Sequence, residues 1–140
     1  MGKLKLTTYL VGSPRKRGEG LRIGTIREWP RGLEKRYQSE EHFDLWFPLL
    51  APSRKLRQWL NEDLDARWDT FVERYKREMI QKTDSRQALI LVSKMAERMT
   101  VSVGCACEDD RYCHRSVLVK LIRRAGTKVF QEAKASEIEI

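Results

Sequence analysis

Apolar and polar residues alternate along parts of this chain with the two-residue period of a β-strand. Residues 3–12 (KLKLTTYLVG) and 21–26 (LRIGTI) are rich in Leu, Ile and Thr, so we expect a strand in each. Residues 100–108 (TVSVGCACE) alternate strictly, which places Cys105 and Cys107 on an apolar face and small residues on the other face. The small-residue face of this third predicted strand leaves room for a helix to pack closely against it.

In four other segments, apolar residues recur every three or four positions, as they do on helices. Ser53 is the predicted N-cap of a short helix, and a longer helix is expected to begin near Asp65. Asp84 and Gln87 resemble a capping box at the start of a third helix. The last predicted helix carries on its apolar face His114, Val117, Leu118, Leu121, Ile122 and Ala125. Residues 127–130 (TKVF) follow it and are expected to form a final strand.

Strands that alternate with helices are typical of one fold class. The pattern predicts an α/β protein with a mainly parallel β-sheet and helices on both faces. No internal repeat or flexible linker interrupts the chain, so residues 1–140 are expected to form a single compact domain with a basic loop at residues 13–20.

The length and composition of the chain exclude several classes of protein. Its 140 residues are enough to bury a core, and 41% hydrophobic with 34% charged residues is typical of a globular domain. No apolar run reaches the roughly 18 residues needed to cross a bilayer, and the start of the chain lacks a signal sequence. We therefore expect a cytoplasmic protein with no membrane partner. Its three cysteines lie within residues 105–113, so reduced thiols are expected and no cofactor is indicated.

The net charge of +8 is concentrated in two segments. Residues 1–40 hold ten Lys and Arg against four Glu, and a second basic run between residues 111 and 131 contains no acid. This distribution favours an anionic partner, either a phosphate-bearing small molecule or a nucleic acid. The alternative is that the charge serves only solubility.

The densest chemistry in the chain lies in CACEDDRYCHR, residues 105–115. Four of its residues could bind zinc, but the usual Cys-x2-Cys spacing is missing, so no metal site is predicted. The Cys-x5-Arg spacing of a phosphatase loop is present, but the three intervening carboxylates would repel a phosphate dianion and raise the pKa of the thiol. A dyad of Cys107 with His114 stays open.

Two features of this segment favour an anion site. Cys107 and Glu108 are predicted at the end of a strand, and ligands of open α/β sheets bind outside those ends. The following helix would direct its free N–H groups to the same place, with Arg115 in its first turn. A purely structural interpretation also stands, with Cys105 in the core, His114 hydrogen-bonded in the interior, and Arg115 paired with Glu108 or Asp44.

Several motifs resemble those of the YeaO-like family, domain of unknown function 488. They are REWPRG (27–32), LAPSRKLRQWL (50–60), WDTFVERYKREM (68–79) and CACEDDRYCHRS (105–116), and they occur in the family's order and at similar separations. The family-like region covers about residues 22–125. The resemblance implies a single α/β domain and supplies no activity.

The family pattern also suggests which residues share a site. One group follows the second strand and another follows the third, so parallel neighbouring strands would bring both groups to one edge of the sheet. The expected ligand-binding residues are Arg27, Trp29, Arg31, Glu108 and Arg115, with arginines on the anion and Trp29 over a planar group. The candidate catalytic residues are His114, Cys107, Cys113 and Glu108.

Three functions follow from these observations. The first is binding of a phosphate-bearing ligand, a nucleotide or a nucleic acid, at the carboxyl edge of the sheet. The second is a cysteine-dependent enzyme or thiol redox sensor that uses Cys107 and Cys113. The third is a structural or regulatory protein with no catalytic site. The sequence leaves open whether the protein is an enzyme.

Overall fold

A computed structural model describes residues 3–30, 42–107 and 112–140. Within these ranges, four strands form one all-parallel sheet in the order β1-β4-β2-β3. The strands are β1 (Leu6–Leu10), β2 (Leu21–Gly24), β3 (Leu45–Trp46) and β4 (Val101–Cys105). The predicted α/β class is confirmed, and so is the parallel sheet.

Helices fill most of the chain between and after the strands. They are α1 (Arg54–Asn61), α2 (Leu64–Gln81), α3 (Thr83–Ala96), α4 (His114–Ala125) and α5 (Lys128–Glu132), with short 3-10 helices at Pro48–Leu50 and Ala135–Glu137. Ser53 caps α1 as predicted, because its side chain accepts a hydrogen bond from the backbone N–H of Leu56. The predicted capping box of α3 is wrong, since Lys82 occupies the N-cap and offers no side-chain hydrogen bond. In the described parts of the chain, we find no helix that combines the length and the apolar character needed to span a membrane.

Two strand predictions in the last third of the chain differ from the structure. Residues 127–130 begin helix α5 instead of a strand, because the Thr127 hydroxyl accepts from the N–H of Phe130 and so starts a helical turn. β4 ends at Cys105, two residues earlier than the alternation of the sequence suggests. Cys107 therefore lies beyond the strand, in the loop at the carboxyl edge.

The core lies between one face of the sheet and the long helices. Ile23, Val101 and Val103 point to this side, where they pack against buried residues of α2, α3 and α4. Burial of such side chains stabilises the fold by about 1.5–3 kcal/mol each. The stripe predicted for α4 is buried as expected, and it includes His114.

The opposite face of the sheet buries an arginine. Arg22 is fully buried, and each of its side-chain nitrogens has an acceptor among Glu19, Ser13 and Pro14. Its guanidinium carbon lies 4.3 Å from the centroid of the Tyr9 ring. On this face the ring of Tyr9 also covers Gly104, in the place where the small residues of β4 suggested a helix.

Gly20 fixes the path of the chain from the basic loop into β2. Its φ is +64°, and an added Cβ would lie 2.1 Å from the carbonyl oxygen of Thr100. Only glycine fits both the conformation and the space. The loop at residues 13–20 is therefore held against the sheet at its end.

Candidate functional site

A cavity of about 510 Å³ lies at the carboxyl ends of the parallel strands. Its walls come from the segments after β1, β2 and β4, from α1 and from the start of α4. The lining residues are Val11, Ile26, Arg27, Glu28, Trp29, Pro30, His42, Ala51, Pro52, Arg57, Cys105, Ala106, Cys107 and His114. We call this the carboxyl-edge cavity. The sequence predicted that residues after β2 and β4 meet at this edge, and parallel pairing of β2 with β4 brings them together.

Buried nitrogens without hydrogen-bond partners concentrate in this cavity. Across the described residues, four buried side-chain polar atoms have no partner, and three of them belong to cavity residues. They are His42 Nδ1, Arg57 Nη1 and His114 Nδ1, while the fourth is Ser93 Oγ. Because buried polar atoms are nearly always paired, these three nitrogens distinguish the cavity from the rest of the described interior.

His114 is held in one orientation by Thr25, the residue that follows strand β2. Its Nε2 lies 2.8 Å from the carbonyl oxygen of Thr25 and 3.2 Å from the hydroxyl of the same residue, and its ring meets Tyr75 edge-on at 5.6 Å. A carbonyl only accepts, so Nε2 carries the proton and Nδ1 presents a lone pair. Burial lowers the pKa of His114 to about 4; the hydrogen bond to Thr25 acts against this shift, and the charge of Arg57 adds to it. The imidazole is therefore neutral at pH 7.

Arg27 joins two walls of the cavity through hydrogen bonds from its guanidinium. The guanidinium donates from Nη2 to the carbonyl of Ala51 at 2.8 Å and from Nε to the carbonyl of Pro52 at 3.3 Å. These bonds tie the segment after β2 to the entry of α1. The predicted contact of Arg27 with a ligand stays a prediction.

Trp29 forms an aromatic wall. Its ring packs edge-on against Phe43 at 5.3 Å and Trp46 at 5.0 Å, and Trp46 donates from Nε1 to the carbonyl of Ile26 at 2.8 Å. The rings fix the position of Trp29, so a planar ligand group would meet a rigid surface.

The three cysteines meet at the wall of this cavity, which Cys105 and Cys107 line. Cys105 and Cys113 are joined by a disulfide, and Cys107 keeps a free, half-buried thiol. The prediction that Cys107 and Cys113 act as a thiol pair is therefore wrong. The prediction that all three cysteines are reduced is wrong as well, since two of them form a disulfide. Cys105 ends β4 and Cys113 is the N-cap of α4, so the disulfide joins the end of the strand to the start of the helix.

The DUF488-N3a family, described as the active DUF488-N3 subclade, matches residues 6–126. The chain belongs to this family. The predicted resemblance to domain of unknown function 488 is thus confirmed. No curated protein and no solved structure matches the chain.

Arg115 of this DUF488-N3a protein does not line the carboxyl-edge cavity. It is buried, donates to the carbonyl of Tyr9 at 3.1 Å, and lines a separate cavity of about 650 Å³ together with Lys16 and Arg17. Burial lowers the pKa of Arg115 from its usual value. Neighbouring positions on a helix point about 100° apart, so His114 faces β2 while Arg115 faces β1. The expected convergence of Arg115 with Arg27 and Trp29 is absent for this reason.

Two other predicted ligand residues, Arg31 and Glu108, lie outside the described residues. Asp44, the other predicted partner of Arg115, pairs with Arg15 and accepts a hydrogen bond from the backbone N–H of Arg22.

Sequence reasoning missed two cavity residues, His42 and Arg57. Arg57 lies in the LAPSRKLRQWL motif, one position after Leu56 of the apolar α1 stripe, and the sequence pattern assigns it no role. His42 is one of only two histidines in the chain, and that scarcity is the one signal available. Neither position carries a local pattern that indicates a cavity.

Proposed function

We propose that the carboxyl-edge cavity binds a small phosphate-bearing ligand of the nucleotide class. The observation that carries the proposal is the pair of orphaned nitrogens, Arg57 Nη1 and His42 Nδ1, in the wall of one cavity. A buried donor without a partner costs about 1–3 kcal/mol, and the cost is larger for a charged group. An anionic ligand would remove this cost.

The size and the walls of the cavity support this class of ligand. Its volume of about 510 Å³ lies within the roughly 300–1,000 Å³ typical of small-molecule sites. Most of the lining is apolar, and Trp29 offers an aromatic face for a planar group. A guanidinium with free donors on one side and an aromatic ring on another is the combination that a phosphate attached to a planar base requires.

The charges around the cavity also favour an anion. The carboxylate of Glu28 lines the cavity but is paired with Arg54, which leaves Arg57 as a cation whose Nη1 has no partner. The neutral imidazole of His114 adds no competing charge. An anion that enters this cavity would therefore meet a net positive wall.

Isothermal calorimetry with nucleoside monophosphates and inorganic phosphate tests the proposal. We expect a nucleoside monophosphate to bind, and Arg57→Ala to weaken binding about tenfold or more, because hydrogen bonds to charged groups contribute about 1.5–3 kcal/mol. Lys55→Ala removes the same charge from an exposed position on the same helix, so it is the matched control and should bind as the unmodified chain does. Equal affinities of the two variants, or no binding of any phosphate compound, would refute the proposal.

A further inference from the structure

Four side chains of the types that bind metals converge at the wall of the carboxyl-edge cavity. The sulfur atoms of Cys105, Cys107 and Cys113 and a ring nitrogen of His114 all lie within 4.8 Å of one another. In tetrahedral zinc sites the Zn–S distance is about 2.3 Å and the Zn–N distance about 2.0–2.1 Å, which places three sulfurs and one nitrogen roughly 3.5–3.8 Å apart. We propose that, once the Cys105–Cys113 disulfide is reduced, these four residues bind one Zn²⁺ ion.

The surroundings of His114 match those of a metal ligand. A histidine that binds zinc through one nitrogen almost always donates its other ring N–H to a carbonyl or carboxylate, which fixes the ring. Nε2 of His114 makes this bond to the carbonyl of Thr25 at 2.8 Å. Nδ1 is buried and has no partner, so its lone pair is available to an ion.

The backbone around the cysteines also fits a shared ion. The Cα atoms of Cys105 and Cys113 are 7.5 Å apart, beyond the roughly 4.4–6.8 Å that most disulfides span. This separation lets two thiolates bind one ion after the S–S bond is broken. Cys105, Cys113 and His114 are buried, whereas Cys107 is half-buried and lines the cavity, which gives an ion a path to the site.

The donor set selects the metal by its chemistry. Three thiolates and one imidazole suit Zn²⁺, whereas Mg²⁺ and Ca²⁺ require oxygen ligands. Three thiolates on Zn²⁺ carry a net charge of −1. Arg115 Nη1 lies 3.9 Å from the sulfur of Cys105 and would offset that charge. This contact gives the buried Arg115 a role away from the proposed nucleotide ligand.

Reduction must precede metal binding, because the disulfide removes two of the four donors. A water-soluble phosphine breaks the S–S bond, takes oxygen from water to become its oxide, and leaves two thiols. Zinc then displaces the protons of three thiols as it binds. The disulfide and the zinc site are thus alternative states of the same cysteines.

Titration of the phosphine-reduced chain with Co²⁺ under anaerobic conditions tests the proposal. We expect one equivalent to give the visible absorption of tetrahedral Co²⁺ and a near-ultraviolet band from thiolate-to-cobalt charge transfer, and one equivalent of Zn²⁺ to abolish both. Native mass spectrometry should show one zinc per chain. The disulfide-bonded chain should show none of these signals.

Cys107→Ser tests the ligand set at its most exposed position. We expect a loss of affinity greater than the roughly 10–100-fold that follows removal of a group hydrogen-bonded to a metal ligand. Far-UV circular dichroism checks that the reduced chain and the variant keep their helices; refolding of the reduced chain by one equivalent of Zn²⁺ would equally support the site. A folded, reduced chain without cobalt absorption, unchanged affinity in Cys107→Ser, or equal binding by the disulfide-bonded chain would overturn the proposal.

Discussion

Two buried regions of this molecule differ in whether their polar groups have hydrogen-bond partners. On one face of the sheet, Arg22 is fully buried and each of its side-chain nitrogens has an acceptor from the 13–20 loop. At the carboxyl edge, nitrogens of His42, Arg57 and His114 are buried without any partner. Since an unpaired buried group costs more than a paired one contributes, the first arrangement stabilises the fold and the second lowers its stability. The difference separates a structural arginine from a candidate binding arginine without reference to any ligand.

Arg22→Leu should have the largest effect on stability, and it tests whether the paired arginine stabilises the fold. Removal of one partner of a buried ion pair leaves Glu19 uncompensated, so we expect a loss of about 3–5 kcal/mol in the free energy of unfolding, measured by urea denaturation. Arg17→Leu, an exposed position in the same loop, is the control and should change stability little. A loss below about 1 kcal/mol in Arg22→Leu would show that the paired arginine contributes little to the fold.

The second prediction concerns pH in the metal-free, disulfide-bonded chain. Burial holds the pKa of His114 at about 4 in the folded state, whereas the unfolded histidine titrates near 6.5. As the pH falls, the unfolded chain therefore binds a proton before the folded chain does. The contribution of His114 to the free energy of unfolding is fully present above pH 6.5, decreases between pH 6.5 and about 4, and changes no further below that. The loss from His114 amounts to about 3 kcal/mol. NMR titration of its imidazole gives the direct measurement, and a transition near 6.5 would contradict the assignment of a buried neutral ring.

Tyr9→Phe probes the connection between the two regions. Tyr9 packs on Arg22 and donates from its hydroxyl to the carbonyl of His42 at 2.7 Å. We expect the loss of this bond to lower the free energy of unfolding by about 0.5–1.5 kcal/mol. Because the bond positions His42, nucleotide affinity should fall as well. A variant with full stability and full affinity would show that Tyr9 does not link the regions.

Arg57→Met should have the smallest effect on stability. Its Nη1 has no partner in the ligand-free chain, so an apolar side chain of similar length should leave the free energy of unfolding unchanged or raise it by up to about 1 kcal/mol. Thermal unfolding without ligand measures this. The same variant should lose the stabilisation that a nucleoside monophosphate gives the unmodified chain. Strong destabilisation without ligand would mean that Arg57 stabilises the fold, as Arg22 does.

Local patterns predicted the elements of this fold well, because capping and periodicity act over a few residues. Ser53 at the start of α1 and the apolar stripe of α4 are examples. The same patterns failed for features that depend on tertiary contacts, such as the direction of a buried side chain. The direction of Arg115 depends on the rotation of α4 against β1, and that rotation is set by packing across the whole core.

The sequence predicted the place of the cavity and four of its lining residues, Arg27, Trp29, Cys107 and His114, but not His42 or Arg57. Parallel strands put their carboxyl ends together, so the segment after β2 and the thiols after β4 were expected at one edge. His42 reaches the same cavity from the segment before β3, and Arg57 reaches it from α1. β3 itself is a two-residue strand with too short a pattern to recognise. The partnership of Cys105 with Cys113 depends on where β4 ends and α4 begins, which the alternation of the sequence placed two residues too late.

The strand order has a consequence for how the chain folds. β4 lies between β1 and β2, and the pairing of Leu6 with Val101 joins residues 95 positions apart. Among the described strands, β1 has no other neighbour, so it stays unpaired until about residue 105 has been synthesised. Contacts of such long sequence separation slow folding and leave strand edges exposed meanwhile. On the ribosome, we expect the helices to form first and the sheet to close last, with the cavity created only in that final step.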